Sequence, residues 1–155
     1  MVQEIITAGL SADDMALTQE FLQLCAVVAA LRHPQSGCPW DLEQSHLSLR
    51  PYMLEEAQEA VEAMGEDSPE ELCEELGDVL LQVVLNSQIA AEHQHFTLRE
   101  VVGGLRQKLI RRHPHVFGSP EERSQRSLEQ IGARWQQIKT AEKAEKAART
   151  GKKPR

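Results

Sequence analysis

The sequence predicts an all-α fold, a bundle of about five helices, and three observations carry that prediction. Aromatic residues make up only 4% of the 155 positions, and glycine and proline, nine and seven in number, are sparse outside a few short segments. A sandwich or barrel would need frequent turns and strands rich in β-branched residues. Apolar residues recur every three or four positions over long stretches, and several of those stretches open on helix-cap signals.

The first helix is expected over about Ala12 to Leu31. Ser11 with Asp14 marks its start, and Leu17, Phe21, Leu24, Val28 and Leu31 form one apolar stripe. His33 to Trp40 contains two prolines and a glycine and is expected to be a loop that carries Trp40. A second helix runs from about Leu49 to Met64, with Ser48 as its cap and Pro51 tolerated in the first turn. After the break Gly65-Glu66-Asp67, Ser68 caps a third helix, Pro69 takes its first position and Glu71 closes a capping box; this helix reaches about Ala91. Thr97 and Glu100 open a fourth, which ends near Arg112 because His113 precedes Pro114. Pro114 to Ser124 is expected to be loop. A fifth helix covers about Leu128 to Ala148, with Leu128, Ile131, Trp135 and Ile138 on one side. Residues 1–149 are thus expected to form a single domain, and 150–155 a disordered basic tail.

Composition bounds the function. No apolar run approaches the roughly 20 residues that span a bilayer, and MVQEIITAGL lacks the basic and apolar regions of a signal peptide. Cys25, Cys38 and Cys73 are odd in number and form no CxxC pair, so a disulfide framework is not expected and a reducing cytoplasm is. A net charge of −7 argues against a general nucleic-acid surface. No Lys or Arg lies between Arg50 and Arg99, whereas that stretch holds a dozen acids. The cations Arg99, Arg106, Lys108, Arg111 and Arg112 follow, and they or bound metal ions must supply counter-charge.

Two acidic pairs stand out. On the second helix Met53, Ala57, Ala60, Val61 and Met64 are expected to face the core, with Glu56 and Glu59 at the border of that face, one turn apart. The third helix is apolar nearly all round from Val79 onward, yet Glu71, Glu75, Asp78 and Gln82 draw a narrow polar stripe along it. Burying such carboxylates without a partner is costly, and like charges raise one another's pKa. Antiparallel helices would set Glu56 and Glu59 opposite Glu75 and Asp78, where a hard divalent cation fits. With no ExxH element, Mg²⁺ or Mn²⁺ is expected rather than iron. The plainer reading, a solvated acidic face, suits Glu55, Glu62, Glu66, Asp67, Glu70 and Glu74.

Lys108, Arg111 and Arg112, at i, i+3 and i+4, either complement a helix C-terminus or clamp phosphate oxygens. Trp40 and Trp135 either pack in the core or stack on a base. His113 and His115 read as loop structure, and Cys38 has no evident acid or base partner in the sequence.

The ordered set Gly37-Cys38-Pro39-Trp40-Asp41, Gln44-Ser45-His46, Glu55-Glu56-Ala57-Gln58-Glu59, Glu74-Glu75-Leu76-Gly77-Asp78, Lys108 to Phe117 and Trp135-Gln136-Gln137-Ile138-Lys139 resembles the MazG family of nucleoside triphosphate pyrophosphohydrolases. The resemblance runs from about Leu31 to Lys143, with Ser45 where the family usually has Thr, and it looks like a single-domain form. It implies an all-α fold and Mg²⁺-dependent cleavage of nucleoside or deoxynucleoside triphosphates to monophosphate and pyrophosphate, a house-cleaning activity on non-standard or excess nucleotides. It also implies metal ligands at Glu56, Glu59, Glu75 and Asp78, and phosphate contacts at Lys108 and Arg112 with Arg111 beside them. Trp135 would touch base or ribose, Lys139 would be an auxiliary phosphate contact, and Trp40 would help shape the pocket. Glu55 or Glu56 would accept the proton of the attacking water. A homodimer or higher homo-oligomer is expected, with a nucleotide as partner and neither nucleic acid nor membrane. The alternatives are a non-catalytic helical module that binds nucleotide or a protein, and an enzyme specialised for dUTP or dCTP.

Overall fold

A computed structural model describes residues 11–124 and 127–151. The N-terminal segment read for a signal peptide, and residues 152–155 of the expected tail, lie outside the described residues. The described residues contain eight helices and no strand: α1 Ala12–Leu31, α2 Pro39–Glu43, α3 Arg50–Ala63, α4 Pro69–Glu92, α5 Leu98–Arg112, α6 Pro114–Phe117, α7 Pro120–Ser124 and α8 Leu128–Thr150. The chain divides into two compact units, Leu10–Val101 and the segment from Val102 onward.

Local chemistry sets the helix starts. Ser11 and Asp14 bond each other's backbone N–H reciprocally at the head of α1, and Thr97 with Glu100 does the same at α5. Ser68 caps α4 by accepting from the Glu71 N–H, and Ser127 with Gln130 closes a box at α8. Each satisfies N–H groups that a helix's first turn leaves without carbonyl partners.

Several expectations are corrected. Trp40 is helical, within α2, and the stretch after Pro114 forms α6 and α7 rather than plain loop. All three short helices begin with proline, whose fixed φ and missing N–H suit a first helical position as well as they break an interior. The cap of α3 is Leu49, not Ser48. The Ser48 hydroxyl is engaged by the Ser45 N–H and by Gln44 in the preceding turn. Thr150 closes α8, and Gly151 follows in the left-handed conformation that glycine adopts without strain.

In the first unit the core joins Val28 of α1, Leu49, and Val84, Leu85 and Ile89 of α4, with Phe21, Leu24 and Leu98 packed against them. The apolar stripe of α1 is therefore real from Phe21 on, although Leu17 is exposed. By length and composition alone, α1 with its 20 residues is long and apolar enough to cross a membrane, where no such segment was expected. Its Val28 is buried in this core, and Phe21 and Leu24 are partly buried against it. The α4 helix packs against both α3 and α1.

The inward face of α3 also differs from expectation. Ala60 and Ala63 are buried and Met53 and Glu56 half-buried, whereas Ala57, Val61 and Met64 are exposed. Apolar residues lie on more than one side of α3, so periodicity could not choose the face. The small Ala60 and Ala63 suit a close approach to a neighbouring helix.

A buried arginine ties this unit together. Arg32, just past α1, donates from Nε and Nη2 to the carboxylate of Glu92 at the end of α4, at 2.6–3.0 Å. Its Nη1 donates to the carbonyls of Asp41 and Gln44. Beside it, Gly37 N–H bonds the His33 carbonyl and Cys38 N–H bonds the Leu31 carbonyl, each at 2.8 Å.

Candidate functional site

In the first unit, α3 carries Glu56 and Glu59 and α4 carries Glu75 and Asp78, and the two helices pack directly on each other. One carboxylate oxygen from each of Glu56, Glu75 and Asp78 lies within 4.8 Å of the others. The i, i+3 spacing of Glu75 and Asp78 stacks them on one face of α4. Met53, Glu56, Ala60 and Ala63 share the inward face of α3, which brings Glu56 toward them. Glu59 is exposed and is not one of the three converging groups, although its charge reaches them.

The electrostatics are those of a site short of positive charge. Desolvation, followed by the charges of Asp78 and Glu59, pushes the Glu56 carboxyl above the ordinary glutamate range, and a hydrogen bond from Gln82 partly opposes this. Desolvation, then Glu59, Asp78, Glu74 and Glu56, push Glu75 in the same direction. Glu75 Oε2 is buried with no hydrogen-bond partner, and so is Oε1 of the buried Gln82 one turn beyond Asp78. Buried acceptors without donors are uncommon and costly, and a divalent cation held by the three carboxylates would satisfy Glu75 Oε2. Opposite oxygens around one octahedral Mg²⁺ are about 4.2 Å apart, so oxygens spread over at most 4.8 Å need only small side-chain adjustments to share an ion. The donor set, all oxygen and all acidic, fits Mg²⁺ or Mn²⁺.

The polar stripe of α4 continues to Asn86, whose Oδ1 is 2.9 Å from His46 Nδ1. Both residues line a cavity of about 300 Å³ with Leu49, Arg50, Met53 and Leu54. Glu55 is exposed on α3 next to Glu56. Trp40 is half-exposed and meets Tyr52 edge to face at 5.6 Å, so it is not a core residue.

In the second unit, Lys108, Arg111 and Arg112 at the end of α5 line a cavity of about 670 Å³ together with Lys139, Glu142, Lys143, Glu145 and Lys146 of α8. Arg111 and Arg112 share one counter-charge, Glu142. Its Oε1 accepts from Arg111 Nε at 2.7 Å and Nη2 at 2.6 Å. Its Oε2 accepts from Arg112 Nε at 3.0 Å and Nη2 at 2.6 Å. The Arg112 and Arg111 guanidiniums accordingly hold the Glu142 carboxyl below the ordinary range. Arg112 also lies over the Trp135 ring, 5.4 Å from its centroid, and His113 meets that ring edge-on at 5.1 Å. The His113 ring donates from Nδ1 to the Leu109 carbonyl, in keeping with a structural role.

Sequence reasoning did not single out Glu142. Its signal was there, because Trp135, Lys139 and Glu142 follow one another at four and three residues, one face of α8.

A family model described as the MazG nucleotide pyrophosphohydrolase domain matches residues 44–117. The match includes the acidic pairs and Lys108 to Arg112, and ends before Trp135, Lys139 and Glu142. The chain is similar to a nucleoside triphosphate pyrophosphohydrolase/pyrophosphatase MazG of Thermotoga maritima, 46% identical over 81% of this chain and 46% of that protein. It is also similar to a nucleoside triphosphate pyrophosphohydrolase of Escherichia coli K12, 42% identical over 81% of this chain and 46% of that protein. A third relative, the protein YabN of Bacillus subtilis, is 42% identical over 84% of this chain and 26% of its own length. The chain thus spans about half the length, or less, of these relatives.

Proposed function

Since the chain belongs to the MazG nucleotide pyrophosphohydrolase family, we propose that it hydrolyses nucleoside triphosphates to the monophosphate and pyrophosphate. The observation that carries the reading is the convergence of Glu56, Glu75 and Asp78 around a buried, partnerless carboxylate oxygen. These three, with Glu59 beside them, would hold Mg²⁺, or Mn²⁺ in its place. An ion bound there supplies charge neutralisation for phosphate oxygens and acidifies a water molecule. A water oxygen attacks the α-phosphorus, the bond from that phosphorus to the α–β bridging oxygen breaks, and pyrophosphate leaves with the bond's electron pair. The water's proton passes to a carboxylate, Glu56 or its exposed neighbour Glu55.

Lys108, Arg111 and Arg112 hold phosphate oxygens; a guanidinium fork suits two oxygens at once and an ammonium acts as a point charge. Lys139 adds a further phosphate contact, Trp135 offers its ring to base or ribose, and Trp40 helps to shape the nucleotide pocket. The family match crosses the boundary between the two compact units, which supports a single functional domain over 1–149. Exposed Leu54 and Val61 on α3, Met64 just past its end and Leu76 on α4 support association into at least a homodimer. Free Cys25, Cys38 and Cys73 suit a reducing cytoplasm. House-cleaning of non-standard or excess nucleotides is the role this chemistry serves.

The test is pyrophosphate release from a panel of NTPs and dNTPs with Mg²⁺. Glu75→Gln and Glu56→Gln are expected to lower turnover on the order of a hundredfold or more. Glu55→Gln measured beside Glu56→Gln separates the two proton acceptors. Turnover confined to dUTP or dCTP would replace the broad reading with a specialised one. No release from any substrate, or variants equal to wild type, would leave only a non-catalytic binding module.

A further inference from the structure

Arg111 and Arg112 are consecutive on α5, so their side chains leave the helix about 100° apart and their like charges repel. Left alone, two such guanidiniums would splay. In the structure they converge on one carboxylate, and each oxygen of Glu142 takes a two-bond fork from a different arginine. The Glu142 side chain is only 17% exposed and that of Arg112 19%, while that of Arg111 is 55% exposed, so the Arg112–Glu142 half is shielded and the Arg111 half faces solvent. Arg112 is held from a second side by the Trp135 ring. Each guanidinium has five N–H donors, and the carboxylate occupies two, leaving three on each for another anion. Lys108, Arg111, Arg112 and Lys139 alone outnumber the two carboxylates that line the cavity, Glu142 and Glu145, so Glu142 does not cancel the cavity's attraction for an anion.

We propose that Glu142 is a positioning residue: by accepting from both guanidiniums at once it presents Arg111 and Arg112 as one paired receptor for phosphate oxygens on the wall of the cavity they share with Lys108 and Lys139. The proposal rests on the phosphate-binding reading of those cations. Glutamine at this position would keep one acceptor oxygen for one arginine and turn an NH₂ group toward the other, which breaks the two-sided fork. Aspartate would keep the charge with a shorter reach.

The experiment is calorimetric titration of the whole chain with inorganic tripolyphosphate, which requires no turnover, with thermal unfolding of each variant followed alongside. Loss of charge-assisted hydrogen bonds predicts that Glu142→Gln binds roughly ten- to a hundredfold more weakly than wild type. Glu142→Asp is expected to fall between the two. An affinity in Glu142→Gln equal to or above that of wild type overturns the proposal, because Glu142 would then compete with phosphate rather than present its receptors. Glu142→Asp keeps the test open if the glutamine variant does not fold, and an affinity equal to wild type's overturns the proposal there as well. Wild type that fails to bind tripolyphosphate overturns the phosphate reading and this inference together. Binding that Arg112→Met abolishes and Glu142→Gln leaves intact overturns this inference alone.

Discussion

Replacing Arg32 with methionine is expected to destabilise the first unit by about 3 kcal/mol, the low end of the range for breaking a buried ion pair by removing one partner. The Arg32 side chain is 6% exposed and makes three hydrogen bonds to Glu92 and two to backbone carbonyls. Its loss strands the carboxylate, but Glu92 is 31% exposed and still accepts from Gln88 at 3.1 Å, so it regains solvation. That places the cost near the low end. Methionine fills much of the aliphatic volume, which keeps a cavity penalty small, while the Asp41 and Gln44 carbonyls lose a donor. Urea unfolding is the assay. With a slope of about 1–3 kcal/mol per molar, the midpoint should fall by about 1 M or more. The double variant Arg32→Met/Glu92→Leu should recover much of the loss, since it removes the stranded charge.

Acidity supplies a second reading of the same pair. Arg32 holds the Glu92 carboxyl below its ordinary value of 4.5, so the pair's contribution is present above that value and is lost as pH falls through the folded-state pKa. The gap between wild type and Arg32→Met should therefore narrow on acidification below 4.5. A loss under about 1 kcal/mol at neutral pH, against the 3–5 kcal/mol typical of a broken buried pair, would refute the reasoning.

Two further outcomes follow from the acidic cluster and the turn after α1. Without metal, Glu56 and Glu75 are held above 4.5, so their contribution is fully present below that value and is lost as pH rises through their folded-state pKa. Glu75→Gln in EDTA should thus melt higher than wild type at pH 7 and close to it near pH 4, whereas Mg²⁺ should raise the melting temperature of wild type more than that of the variant. Equal Mg²⁺ shifts in the two proteins would contradict a site at Glu75. Gly37→Ala should cost on the order of 1–3 kcal/mol, because an added Cβ would lie 2.3 Å from the Leu31 carbonyl oxygen and 2.7 Å from that of His33. Unfolding within about 0.5 kcal/mol of wild type, the range of an ordinary surface change, would show that the turn relaxes freely.

The helix starts at Ser11, Ser68 and Thr97 were legible because a cap and the N–H it satisfies are only three residues apart. The pairing of Glu75 with Asp78 on one face of α4, and the apolar circumference beyond Asp78, were legible for the same local reason. Proline misled where it stood at a helix start, at Pro39, Pro114 and Pro120, since one residue type serves as breaker and as first position.

By itself, then, the sequence determined the helical class, the positions of the long helices and the family-like order of acids and cations, because each depends on spacings of a few residues. Only the tertiary structure decided which side of α3 turns inward, and with it that Glu56 joins Glu75 and Asp78 while Glu59 stays exposed. It alone showed that the partner of Arg111 and Arg112 is Glu142, some 30 residues further along the chain. The reason is physical: a helix with apolar residues on more than one side, or a cation with many acids within reach of composition, has no preferred partner until packing removes water from one face and leaves the others wet.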